Sequence, residues 1–99
     1  MGIEEDFQFE IKPLREEIDQ LDDLLLFLLE IRFEICGDVA EVKARYGKDN
    51  HDSARERQII ERAISEHPNL SPDFIRQVYP IVLSYSRQRM EEVRRELTL

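Results

Sequence analysis

The stretch that decides the fold is residues 14–46, LREEIDQLDDLLLFLLEIRFEICGDVAEVKARY. Leu14, Ile18, Leu21, Leu25, Leu28, Arg32, Ile35, Val39, Val42 and Tyr46 recur in alternating steps of four and three. That spacing predicts one long helix with a coiled-coil-like seam. Pro13, a favoured first-turn residue, marks the expected start, and Gly47 supplies the stop. At ~1.5 Å per residue the helix is roughly 50 Å long. A rod of that length does not fit the centre of a compact 99-residue monomer, so it is expected to pack against its own copy. Residues 1–12 are then expected to form a flexible N-terminal arm of a single domain spanning 1–99.

Two shorter helices follow. The polar run Lys48-Asp49-Asn50-His51 reads as a loop. The second helix should open at Asp52 or Ser53, with Ser53 and Glu56 at capping-box spacing, and end before Pro68. Ile59, Ile60, Ala63 and Ile64 make its apolar face. The third should open with Ser71 as cap and Pro72 in the first position. Its stripe is Ile75, Tyr79, Val82, Ser86, Met90, Val93 and Leu97, and Pro80 inside it removes one backbone hydrogen bond and should bend it. The expected class is all-α: a three-helix subunit with a long first, short second and kinked third helix, forming an intertwined homodimer.

Composition narrows the function. Hydrophobic residues make up 41% and charged residues 36%, which suits a globular chain. The net charge of −8 argues against nucleic-acid and anionic-membrane surfaces. No apolar run reaches the roughly 18 residues of a membrane helix, and the acidic start MGIEED lacks a signal-peptide core, so a cytoplasmic setting is expected. The single cysteine, Cys36, sits between Ile35 and Val39 and reads as a small buried hydrophobe. With only His51 and His67, no metal-ligand spacing is visible and no Ser-His-Asp set can be assembled. The chemistry of an enzyme built from this chain would rest on cations and shape, with no cofactor or metal.

The cations that break the apolar pattern are therefore the informative residues. Arg32 occupies a seam position, where a buried charge must either pair with a carboxylate on another helix or serve a ligand. Lys43 lies eleven residues on, close to three full turns, so the two share a face roughly 16 Å apart along the axis. Together they could hold a small dianion, or Lys43 could be a solvated lysine favoured by the helix dipole. Arg15 lies seventeen residues before Arg32, roughly 25 Å along the rod. It is either a solvated first-turn arginine or a ligand-binding group contributed by a second chain. Asp52, Arg55 and Glu56 cluster at the start of the second helix, as caps and surface charges or as carboxylate and hydroxyl ligands. Ser86 and Met90 share the inner face of the third helix.

These residues resemble a known family. The run Leu14-Arg15-Glu16-Glu17-Ile18-Asp19-Gln20-Leu21-Asp22-Asp23-Leu24-Leu25 is similar to the opening of the all-helical (AroQ-class) chorismate mutases, L-R-x-x-I-x-x-L-D-x-x-L-L. The family's L-x-x-R and V-x-x-x-K follow in register as Leu29-Glu30-Ile31-Arg32 and Val39-Ala40-Glu41-Val42-Lys43. Its D-x-x-R-E signature follows as Asp52-Ser53-Ala54-Arg55-Glu56, and the match extends more loosely to Ser86, about three-quarters of the chain.

The resemblance implies an entwined dimer with two equivalent sites, and the conversion of chorismate to prephenate in aromatic amino-acid biosynthesis. It further implies that Arg15 from one chain and Arg55 grip the enolpyruvyl carboxylate. By the same resemblance Arg32 would take the ring carboxylate near Ser86, Lys43 would donate to the ether oxygen, and Glu56 with the backbone near Asp52 would hold the ring hydroxyl. One position departs from the family. Four residues after the serine, relatives carry a glutamine or glutamate as second donor to the ether oxygen, and this chain has Met90. Gln88 is two positions earlier, roughly 200° around the helix, and would serve only if the Pro80 bend changes the register. Two alternatives stay open: the same fold acting on a chorismate relative (4-amino-4-deoxychorismate mutase or isochorismate pyruvate lyase), and a non-catalytic helical dimerisation or regulatory module.

Overall fold

A computed structural model describes residues 2–98. The chain is all-α, with α1 (Ile3–Arg45), α2 (Ser53–Glu66) and α3 (Pro72–Leu97), and no strand among the described residues. It divides into two compact units, Met1–Ile31 and Arg32–Leu99.

The first unit belongs to α1. Its helix begins at Ile3, ten residues before Pro13, so the stretch expected as an arm is helical from that point. Glu4, Glu5 and Asp6 in the first turn explain the early start, because negative charge there complements the exposed N–H groups and the dipole. The Gln8 amide donates to Glu4 at 2.9 Å one turn back. Pro13 therefore lies inside the helix, where it removes the bond to the Phe9 carbonyl. Leu14, Ile18, Leu21, Leu25 and Leu28 are each more than half exposed.

The second unit holds the core. Ala40 and Ile75 are fully buried, with Cys36, Leu83 and Val93 close behind. Gly37 marks the close approach of the end of α1 to α3, since a Cβ there would come within 3.2 Å of Val93 Cγ2. α1 stops where expected: Gly47 adopts φ +64°, a conformation that glycine reaches without strain, and the Lys48 amide bonds back to the Lys43 carbonyl at 2.8 Å.

The cap of α2 is Asp52, not Ser53. Asp52 is extended and its carboxylate accepts from the Arg55 amide at 3.0 Å. Ser53 thus becomes the first helical residue, and Glu56 falls one position too far to close a capping box. α3 opens as expected, with Ser71 Oγ accepting from the Phe74 amide at 3.4 Å and Pro72 in the first turn.

The burial pattern departs from the expected stripes in two places. Ile59, Ile60, Ala63 and Ile64 of α2 are half-buried, none fully. On α3, Ile75, Ser86 and Val93 are buried, Tyr79, Val82 and Met90 half-buried, and Leu97 half exposed. Leu83, off the stripe, is buried instead, because α3 is approached by both α2 and the end of α1 and so covers a wider arc than one seam. No helix among the described residues is long and apolar enough to cross a membrane.

Candidate functional site

The second unit brings most of the singled-out residues to the end of α1, the α1–α2 loop and the inner face of α3. Arg32 is half-buried, and its Nη1 donates to Ser86 Oγ at 2.6 Å and approaches Cys36 Sγ at 3.8 Å. Ser86 is buried and spends its own proton on the Val82 carbonyl, 2.8 Å away, so a lone pair of its oxygen faces Arg32. Among the described residues no carboxylate lies within ion-pair distance of Arg32. Of the two options the periodicity left open, the salt bridge is therefore not formed. The guanidinium is held in place by a neutral hydroxyl.

Lys43 is in a similar position. It is half-buried, and its ammonium donates to the Asn50 carbonyl at 2.8 Å, again a neutral acceptor. Some exposed arginines of this acidic chain do pair with carboxylates, Arg62 with Glu66 and Arg76 with Asp73, whereas exposed Arg55 also rests on a neutral partner. It is half-burial together with a neutral partner that sets Arg32 and Lys43 apart from these. A half-buried cation on a neutral partner keeps its field for an incoming anion, and the low local dielectric strengthens that field.

At the start of α2, Asp52 is occupied as the cap, and Arg55 is exposed with Nη1 donating to Gln58 at 2.7 Å. Glu56 is half-buried and accepts from Arg87 of α3 at 2.5 and 2.6 Å on its two oxygens, with His51 3.8 Å from one of them. Met90 is half-buried on the same face as Ser86, one turn on. Gln88 is exposed, in a shallow surface depression with Ser84, Arg87, Glu91, Glu92 and Arg95. α3 is unbroken through Pro80, and among the described residues Gln88 shares no hydrogen bond with Arg32 or Lys43. In the first unit, Arg15 is exposed and its guanidinium lies 5.9 Å from the centre of the Phe7 ring. Among the described residues, no three His, Cys, Asp or Glu side chains group as metal ligands.

Four residues that make contacts in this region were not singled out in the sequence: Asn50, Arg87, Glu91 and Arg94. Asn50 is buried in the loop and donates its amide to Glu91 at 2.7 Å, while Arg94 bonds to the Lys48 carbonyl. In sequence Asn50 is one polar loop residue among several. The nearest available signal was Arg87, a cation directly after Ser86.

Known proteins bear on this geometry. The chorismate mutase type II family model matches residues 14–91. The chain is similar to the T-protein of Enterobacter agglomerans, 37% identical over 78% of this chain and 21% of that protein. It is also similar to a 3-dehydroquinate dehydratase of Pyrobaculum aerophilum, 40% identical over 54% of this chain and 18% of that protein. A third relative is the bifunctional chorismate mutase/prephenate dehydratase of Aquifex aeolicus, 36% identical over 56% of this chain and 15% of that protein. The chain thus spans about a fifth or less of the length of these curated relatives. No solved structure matches it. The family match runs from the leucine that opens the α1 seam, through Arg32, Lys43 and the cap of α2, to beyond Ser86, and on that ground the chain belongs to the chorismate mutase type II family.

Proposed function

We propose that the chain converts chorismate to prephenate, and that it does so as a homodimer in which Arg15 reaches the site from the second chain. The observation that carries this reading is Arg32: a half-buried guanidinium, oriented by Ser86 at 2.6 Å, with no carboxylate partner among the described residues. A dicarboxylate substrate supplies the missing charge.

The reaction is an intramolecular [3,3] rearrangement. One C–O bond breaks and one C–C bond forms in the same molecule, so the protein supplies neither a nucleophile nor a proton acceptor. It must hold the compact reactive conformer and stabilise the ether oxygen as it becomes negative. Arg32 binds the ring carboxylate. Arg55 and the second chain's copy of Arg15 bind the side-chain carboxylate. Lys43 donates to the ether oxygen, and Glu56 with the backbone at Asp52 receives the ring hydroxyl. The exposed apolar seam of the first unit supports the dimer, since burying one leucine contributes roughly 2 kcal/mol. The half-buried, non-donating Met90 favours a second reading within the same fold, a chorismate relative as preferred substrate.

The test follows chorismate loss by ultraviolet absorbance with the purified chain, with 4-amino-4-deoxychorismate and isochorismate in parallel. Turnover of chorismate that disappears in Arg32→Ala supports the reading. Turnover of a relative alone moves the assignment to that substrate, and no turnover of any overturns it.

A further inference from the structure

The α1–α2 loop is fastened from two sides. From α1, Lys43 donates to the Asn50 carbonyl at 2.8 Å. From α3, Glu91 accepts the Asn50 side-chain amide at 2.7 Å, and Arg94 donates to the Lys48 carbonyl and approaches Asn50 Oδ1 at 3.4 Å. Asn50 is 7% exposed, uncommon for a polar loop residue, and both ends of its side chain have partners.

We propose that Asn50 is a positioning residue for Lys43, held in register by Glu91 and Arg94 of α3. This rests on the reading of Lys43 as the donor to the ether oxygen.

A lysine ammonium is a mobile point charge on a flexible stem, so an unrestrained Lys43 would have to be ordered anew for each substrate. Bonding one of its three N–H groups to a fixed carbonyl sets the directions of the remaining two before substrate arrives, which is the preorganisation that electrostatic catalysis needs. Glu91 is engaged by the Asn50 side-chain amide, and among the described residues no carboxylate is in ion-pair contact with Lys43. Lys43 meets the neutral Asn50 carbonyl, and no ion-paired carboxylate offsets its charge before substrate arrives.

Glu91 is exposed, so replacing it does not open the core. Glu91→Ala removes the acceptor for the Asn50 amide, whereas Glu91→Gln keeps an amide oxygen at nearly the same reach. With the Lys43 contact loosened, Glu91→Ala should lower kcat by at least about tenfold, set against the roughly hundredfold that a 1 Å misplacement of a catalytic group can cost. KM should change by less than about twofold, and Glu91→Gln should recover most of the loss. A second readout needs no turnover. In nitrogen-15 NMR the Lys43 ammonium, assigned by its disappearance in Lys43→Ala, should give a slowly exchanging signal in the wild type and in Glu91→Gln, and none in Glu91→Ala. If kcat and the ammonium signal of Glu91→Ala match the wild type, the positioning role is overturned. A wild type that leaves chorismate untouched overturns the functional reading alone, and the NMR comparison then decides the Asn50 contact by the same rule.

Discussion

Arg87 of α3 closes on both carboxylate oxygens of Glu56 of α2, at 2.5 and 2.6 Å, and so fixes the residue proposed to receive the ring hydroxyl. The pair is partly shielded, with side chains 35% and 23% exposed. Its contribution to stability is therefore modest, about 1 kcal/mol. Its effect on the site should be larger. Without Arg87 the Glu56 carboxylate is free to rotate, with His51, 3.8 Å away, as its remaining ion-pair neighbour among the described residues. Arg87→Ala is expected to raise KM several-fold, with kcat changing less, and to lower Tm by a few degrees. Steady-state kinetics beside a melting curve check both. An unchanged KM would mean that Glu56 does not touch the substrate.

Lys43→Ala should damage kcat far more than stability. The side chain makes one hydrogen bond, to the Asn50 carbonyl, and its proposed partner charge develops only as the C–O bond breaks. Loss of one preorganised donor is worth on the order of 3 kcal/mol, about a hundredfold in kcat. A variant that melts well below the wild type while turning over normally would make Lys43 structural.

Arg15→Ala and Arg32→Ala chains, each inactive alone, should regain part of the activity when mixed and allowed to exchange. In the mixed dimer, one site is assembled from an intact Arg32 and the other chain's intact Arg15, and its partner site lacks both. Recovery should approach a quarter of the wild-type rate per site, since about half of randomly exchanged dimers are mixed and each has one good site. Absence of recovery after confirmed exchange would rule out sites shared between chains.

Met90→Gln places a donor of similar length one turn beyond Ser86, on the same half-buried face. If Lys43 is otherwise the lone donor to the ether oxygen, kcat for chorismate should rise by about tenfold, or ~1.4 kcal/mol. The gain is smaller than the usual loss on deleting such a donor, because an introduced side chain is seldom preorganised. A flat rate together with a lower Tm would identify Met90 as core, with the new amide buried unpaired.

Much of the fold was legible because its determinants are local. Ser71 reaches an amide three residues away, Pro72 carries its own φ, and Gly47 needs only its missing Cβ to reach φ +64°. The shared face of Arg32 and Lys43 follows from helical periodicity. One local reading went astray where two signals competed: Pro13 outweighed the acidic turn Glu4-Glu5-Asp6 in setting the start of α1. At α2 the sequence left Asp52 and Ser53 open as the start, and the structure takes Asp52 as the cap.

The partners of the key side chains were beyond the reach of periodicity. Ser86 beneath Arg32, Arg87 on Glu56, and Glu91 on Asn50 join residues 54, 31 and 41 positions apart. Each depends on how far α3 slides along α1 and α2, a register set by core packing around Ala40, Gly37, Leu83 and Val93. The sequence alone thus determined which residues are cationic and which helix face carries them. Only the tertiary structure decided that Arg32 and Lys43 rest on a hydroxyl and a carbonyl instead of carboxylates, because that choice lies with side chains that meet only after the helices have packed.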